Sequence, residues 1–136
     1  MDYRIIRIRS FPEILFAHGY RTDHYAFSFP MTDRKLELTF LEQGDAIKVM
    51  SDGHQLRIPA PGLAVSIYDR PFSMYSDAPL HRHSTVGFLA DYEVRAITEE
   101  EIAACSRNAR QESGENVLTA ILPEYLPLDR QGSHIE

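Results

Sequence analysis

Cysteine is nearly absent: Cys105 stands alone in a chain of 136 residues. No internal disulfide can form, so the fold must rest on its core, which suits a reducing cytoplasm. Lysine is almost as scarce. Only Lys35 and Lys48 occur, and the remaining basic residues are scattered arginines. With no basic block and a formal net charge of −6, the surface repels phosphate and disfavours direct nucleic-acid binding. No stretch approaches 18 uninterrupted apolar residues, so no membrane-spanning helix is expected. The start, Met1-Asp2-Tyr3-Arg4-Ile5-Ile6-Arg7, carries charges throughout and lacks the apolar centre of a signal peptide. Phosphate loops, GxSxG elbows and GxGxxG turns are also missing, which removes the commonest enzyme signatures. There are no internal repeats and no low-complexity segment.

What is present is alternation. Tyr3 to Arg9 sets Ile6 and Ile8 against Arg7 and Arg9, as a strand does. Pro12 and Gly19 interrupt the next stretch, so His18-Gly19-Tyr20-Arg21 is read as a connection to the barrel. Tyr25, Phe27 and Phe29 share one face of a short run. From Leu36 to Phe88, short alternating runs are divided by Gln43-Gly44-Asp45, Ser51-Asp52-Gly53 and Pro59-Ala60-Pro61-Gly62. Asp-Gly between two strand-like runs is a strong hairpin signal. Asp69 to Leu80, which holds Pro71 and Pro79, is read as a loop or edge. His83 to Val94 is the last long run. This spacing predicts a small antiparallel β-barrel.

The character changes at Thr98-Glu99-Glu100-Glu101, a capping box with acids in the first turn. Ile102 to Ala109 continues a helix, with Arg107 and Arg110 near its end and Gly114 as its stop. Asn116 to Leu122 is a short apolar run ended by Pro123, and the polar tail to Glu136 has no evident core.

The ordered set in Arg34 to Tyr92 resembles the cupin-like sensor domain of AraC-type transcription regulators. The strand Leu36-Glu37-Leu38-Thr39-Phe40 leads to Gly44, then Asp52-Gly53, then Pro61-Gly62, then a strand from His83 to Phe88. Glu115-Asn116-Val117-Leu118 through Ile121-Leu122-Pro123-Glu124 resembles the stretch that leads from sensor to dimerisation helices. The resemblance implies a mainly β, cupin-like jelly-roll barrel followed by one or two C-terminal α-helices. It divides the chain into an effector-binding barrel, 1–96, and a helical dimerisation and linker segment, 97–136. The further domain with two helix-turn-helix units that such regulators carry is not in this sequence. A chain truncated before its DNA-binding half is therefore expected.

The implied function is effector sensing in the cytoplasm by a homodimer that reads DNA only through the missing domain. The effector would be a small polar molecule, a sugar or an aromatic acid. No cofactor is expected. His83 opens an inward strand with Thr85 and is the leading ligand contact, or else a satisfied buried histidine. His18 and Arg21 lie where the family's N-terminal segment folds over its pocket; Arg21 would offer a forked donor, or be a solvated charge. Tyr25, Tyr68 and Tyr75 are pocket walls or core. Glu37 is read as outward-facing; inward, it would need a partner such as Arg21 or His83. Ile102, Val117, Leu118, Ile121 and Leu122 are candidate dimer contacts, or dock helices on their own barrel.

His81-Arg82-His83 raises one alternative, a small metal-dependent cupin enzyme, an isomerase or dioxygenase. Two histidines two apart on a strand face the same way and would share a metal. Metal cupins add a glutamate a few residues on and a histidine from a second strand. Here the next glutamate is Glu93 and the only later histidine is His134. The spacing argues against a metal, and His81 is read as a loop residue at the barrel mouth.

Overall fold

The computed structural model describes residues 3–108 and 118–129. Its strands are β1 (Tyr3–Ile8), β2 (Glu13–Thr22), β3 (Tyr25–Phe29), β4 (Lys35–Gln43), β5 (Ala46–Met50), β6 (Gln55–Ile58), β7 (Gly62–Ile67), β8 (Phe72–Ser76), β9 (His81–Leu89) and β10 (Tyr92–Ile97). The helix α1 (Glu99–Asn108), β11 (Leu118–Pro123) and β12 (Tyr125–Pro127) complete the order. Strands β2 to β9 make two antiparallel sheets ordered β2-β9-β4-β7 and β3-β8-β5-β6. Relabelled one to eight, those orders are 1-8-3-6 and 2-7-4-5, the two interlocked Greek keys of a jelly roll. The mainly β, cupin-like expectation is met. Strand β12 extends the first sheet, and β10-β1-β11 form a third sheet.

Turn chemistry sets much of the register. Gly53 takes a positive φ of 90° in the β5–β6 turn, and Met50 donates to the His54 carbonyl at 2.8 Å. Gly44, at φ 84°, closes β4 into β5 where only glycine fits: a Cβ there would lie 2.6 Å from the Leu80 carbonyl oxygen. The barrel core joins Tyr25, Leu41, Ala46, Ile58, Ala64, Tyr68, Phe72 and Met74 from both sheets.

The capping box forms as predicted. Glu101 N donates to Thr98 Oγ1 at 3.2 Å, and Ile102 N donates to the Thr98 carbonyl at 2.9 Å.

Three expectations are corrected. The stretch around His18 is no connection but the ten-residue first barrel strand, β2, paired with β9 from Glu13 opposite Leu89 to Thr22 opposite His81. Its mixed pattern reflects an edge strand exposed along most of its length rather than absence of structure. Residues 72–76 form β8 between the two prolines, pairing β3 on one side and β5 on the other. The segment after α1 is not helical where it is described. Ile121 and Leu122 lie in β11, opposite Ile5 and Arg4 of β1, and Tyr125–Pro127 pairs with β7. Ile102 is half-buried on α1, whereas Gly114 and Val117 lie outside the described residues, as does the side chain of Leu118.

Candidate functional site

Strand alternation builds a cavity between the two sheets. On β9, His81, His83, Thr85 and Gly87 point inward while Arg82 and Ser84 point out to Glu42. Thr85 Oγ1 donates to Thr39 Oγ1 of β4 at 3.2 Å, tying two buried hydroxyls across neighbouring strands. Strand β2 contributes Phe16, His18 and Tyr20, and β3 contributes Tyr25, Phe27 and Phe29. Tyr68, Phe72, Met74 and Ser66 line the cavity with the inward side of β4, Lys35, Glu37 and Thr39. The cavity volume is about 230 Å³. Tyr20 and Phe27 remain partly exposed, so the cavity opens between edge strands β2 and β3.

The walls are seven aromatic rings from Phe16, Tyr20, Tyr25, Phe27, Phe29, Tyr68 and Phe72, with seven polar side chains, His18, Lys35, Glu37, Thr39, Ser66, His83 and Thr85, set among them. Phe29 stacks on Phe72 at 5.1 Å, and Tyr25 stacks on His81 at 4.4 Å. These contacts fix the rings as flat faces with defined polar tips.

His83 is the central polar group. Its Nδ1 lies 2.8 Å from His81 Nε2, so one ring donates to the other and His83 Nε2 has no hydrogen-bond partner among the described residues. Burial pushes the His83 imidazole down to about 4, helped by His81 and His18 and opposed by Glu42. It is neutral at physiological pH, a hydrogen-bonding group rather than a cation. Burial likewise lowers the His81 imidazole, against the effect of the Gly44 backbone beside it. Contrary to expectation, His81 is not at the mouth: it is 1% exposed, with its Nδ1 unpartnered among the described residues.

A second polar group sits where none was expected. Glu37 faces inward, its side chain only 12% exposed, and its partners are neither Arg21 nor His83. Tyr68 donates to Glu37 Oε2, and Lys35 Nζ lies 3.5 Å from the same oxygen. Lys35 also stands 4.1 Å above the Tyr68 ring and 5.4 Å from that of Phe16. Burial, then the Glu37 hydrogen bond, pushes the Tyr68 phenol up; burial, Glu37 and Tyr20 do the same to Tyr25. Both phenols stay protonated; the Tyr68 hydrogen is committed to Glu37, so its oxygen can only accept from a ligand. Behind this wall Lys48, 4% exposed, reaches the Val65 carbonyl at 3.4 Å and Ser66 Oγ at 3.5 Å, with its Nζ 4.5 Å from the Phe72 ring.

Of the residues nominated from sequence, His83, Thr85, His18, Tyr25 and Tyr68 all line the cavity. Arg21 is exposed and Tyr75 half-buried, and both lie outside its lining. Phe16, Lys35, Glu37, Ser66 and Phe72 were not foreseen there. The alternation of β4 was the available signal for Glu37, because it shares a face with Thr39 and Leu41. For the metal alternative, His81 and His83 share a face but bond to each other. Among the described residues no three His, Cys, Asp or Glu side chains are placed to hold a metal.

No family model and no curated protein matches this sequence. Solved structures of ToxT from Vibrio cholerae are similar in part. One is 11% identical over 77% of this chain and 41% of that chain, with a TM-score of 0.44. A second, wild-type ToxT with a bound unsaturated fatty acid, is 10% identical over 68% of this chain and 44% of that one, with a TM-score of 0.43. The chain thus spans less than half the length of the structures it matches.

Proposed function

We propose that this chain is the effector-binding domain of an AraC-type transcription regulator, holding a small flat molecule between its sheets. The observation that carries this reading is the aromatic-walled cavity of about 230 Å³ inside a jelly roll, with converging polar groups among the rings. Such pockets suit ligand capture: ring faces supply affinity and the polar groups between them set orientation. The ring faces favour an aromatic acid or a sugar, both of which stack on aromatics. His83 Nε2, the Thr39–Thr85 hydroxyls and the Lys35–Glu37–Tyr68 cluster would read its polar edge. Nothing in the lining has the arrangement of an activated nucleophile.

The signal would pass through β2. It contributes Phe16, His18 and Tyr20 to the cavity yet, among the described residues, pairs with one neighbouring strand, β9. A ligand that binds better when β2 is docked shifts the population towards that state. DNA contact would belong to a separate domain, and a homodimer would present two copies of it.

Thermal denaturation with a panel of aromatic carboxylic acids and sugars tests the reading. A true effector at a hundredfold excess over its Kd adds about 2.7 kcal/mol, a rise of roughly 8 °C for a domain of this size. The rise should vanish in His83→Ala. Stoichiometric Fe, Mn, Ni or Zn lost in the same variant would instead support the metal-dependent enzyme.

A further inference from the structure

We infer that the occupant of the cavity is an aromatic α-amino acid, bound as its zwitterion with both charges at the Lys35–Glu37 pair. This names a ligand class for the effector-binding reading and rests on that reading. Apart from histidines, the cavity lining holds one base and one acid, Lys35 and Glu37. They are successive inward residues of β4, followed on the same face by Thr39 and Leu41. Strand pairing sets Thr39 opposite Thr85 and Leu41 opposite His83. The charged pair therefore sits at one end of the cavity, roughly 13 Å along β4 from the level of His83.

The pair does not satisfy itself. A charge-assisted hydrogen bond spans about 2.7–2.9 Å, whereas Lys35 Nζ and Glu37 Oε2 stand 3.5 Å apart. Among the described residues Lys35 Nζ donates no hydrogen bond and Glu37 Oε1 accepts none. Neither atom is sealed away, since His81 Nδ1 is the one side-chain atom there that is both fully buried and unpartnered. Charges left half-satisfied among ring faces are costly, so a molecule that completes both gains the most. An aromatic carboxylate would satisfy Lys35 but press its charge on Glu37. An aromatic amine would satisfy Glu37 but crowd Lys35, which already stands 4.1 Å above the Tyr68 ring. A zwitterion donates to Glu37 Oε1 and accepts from Lys35 together, and adds no net charge. Because the two protein groups are 3.5 Å apart, the ligand's groups must be equally close, as two substituents of one carbon are. The rest of the wall is rings, which favours an aromatic side chain. At about 230 Å³ the cavity is smaller than the roughly 300–1,000 Å³ of drug-sized sites, which suits a molecule of this size.

Isothermal titration calorimetry of the full chain reads the class, with L-phenylalanine, L-tyrosine, L-tryptophan, phenylpropanoate, phenethylamine and D-glucose as probes. At least one of the amino acids should bind. Its analogues without the ammonium or without the carboxylate should bind about tenfold or more weakly, because each loses one charge-assisted hydrogen bond and leaves its partner exposed to a like charge. Glu37→Gln keeps an acceptor for Tyr68 and should reverse the order, so that phenylpropanoate binds at least as well as L-phenylalanine. Lys35→Met should do the same for phenethylamine. A role in folding alone would lower the melting temperature without exchanging these preferences, and each variant backs up the other. No binding by any of the three amino acids, equal binding of the analogues, or preferences unchanged in both variants would overturn the inference. Glucose or phenylpropanoate bound in preference, and lost in His83→Ala, would overturn it while leaving the effector-binding reading in place.

Discussion

Lys48 offers the sharpest test of the interior. Its ammonium is almost fully buried, with two long hydrogen bonds and the Phe72 ring as its company. Burial, with Arg4 adding repulsion, pulls it from 10.5 down to about 8, against the pull of Glu124 and Asp69. That difference, at 1.36 kcal/mol for each pH unit, is about 3 kcal/mol of destabilisation carried by the charged form. The sign comes from proton counting. Below about 8 both folded and unfolded chains hold the proton, and the cost is present in full. Between about 8 and 10.5 the unfolded chain keeps the proton that the folded one has lost, so stability rises with pH. Tyr25 and Tyr68 act oppositely above their ordinary value of 10, because the fold keeps them neutral.

Lys48→Met retains the stem and places a thioether by the Phe72 ring. It gives up hydrogen bonds worth about 1 kcal/mol. The net expectation is a gain of about 2 kcal/mol near neutral pH. Urea unfolding monitored by far-ultraviolet circular dichroism, at several pH values from neutral to about 10, measures both proteins. Subtracting the two curves cancels the tyrosines. A difference that shrinks as pH rises supports the burial argument. A variant less stable than wild type near neutral pH, or a difference independent of pH, refutes it.

The glycines separate local strain from crowding. Gly44→Ala should cost about 2–4 kcal/mol, from a positive φ and a collision with the Leu80 carbonyl, whereas Gly53→Ala, with the same strain but open space, should cost about 1 kcal/mol; thermal melts compare them. Gly87→Ala places a Cβ 2.5 Å from Phe16 Cε1, so the ring must swing away from its place in the cavity. Its stability loss should stay near 1 kcal/mol while ligand-induced thermal shift falls severalfold, because the ring end is free to move and the wall is not restored. For His83, the neutral folded form makes stability fall as pH drops from 6.5 towards 4, since the unfolded chain takes the proton first. His83→Gln should flatten that limb in acid titrations monitored by circular dichroism.

Much of the barrel was legible because its signals are local. The Asp52-Gly53 turn needs a positive φ, and the alternations of β4 and β9 repeat a two-residue period against a buried face. His81 and His83 could be placed on one side from that period alone. Long-range pairing hid the rest. Strand β2 is an exposed edge, so its sequence lacks the contrast that marks a half-buried strand. Strand β8 carries Ser73 and Ser76 between two prolines, and its place is fixed by β3 and β5 rather than by its own pattern. Leu118 to Pro123 is apolar without a clear period, and pairing with β1 makes it a strand. The burial of Glu37 is tolerable only because Lys35 and Tyr68, the latter 31 residues away, converge on it. Lys48 reads as a surface residue until the facing sheet closes over it.

The central claim is that the space between the sheets holds a small molecule. Ring-proton NMR of His83, Tyr20, Tyr25 and Tyr68 tests it most directly during titration with an aromatic acid or sugar chosen by thermal shift. The account predicts saturable shifts confined to these cavity rings, and their loss when Thr85→Leu fills the floor. Shifts that persist in Thr85→Leu, or that spread over surface residues while His83 and Tyr68 stay unmoved, would contradict it.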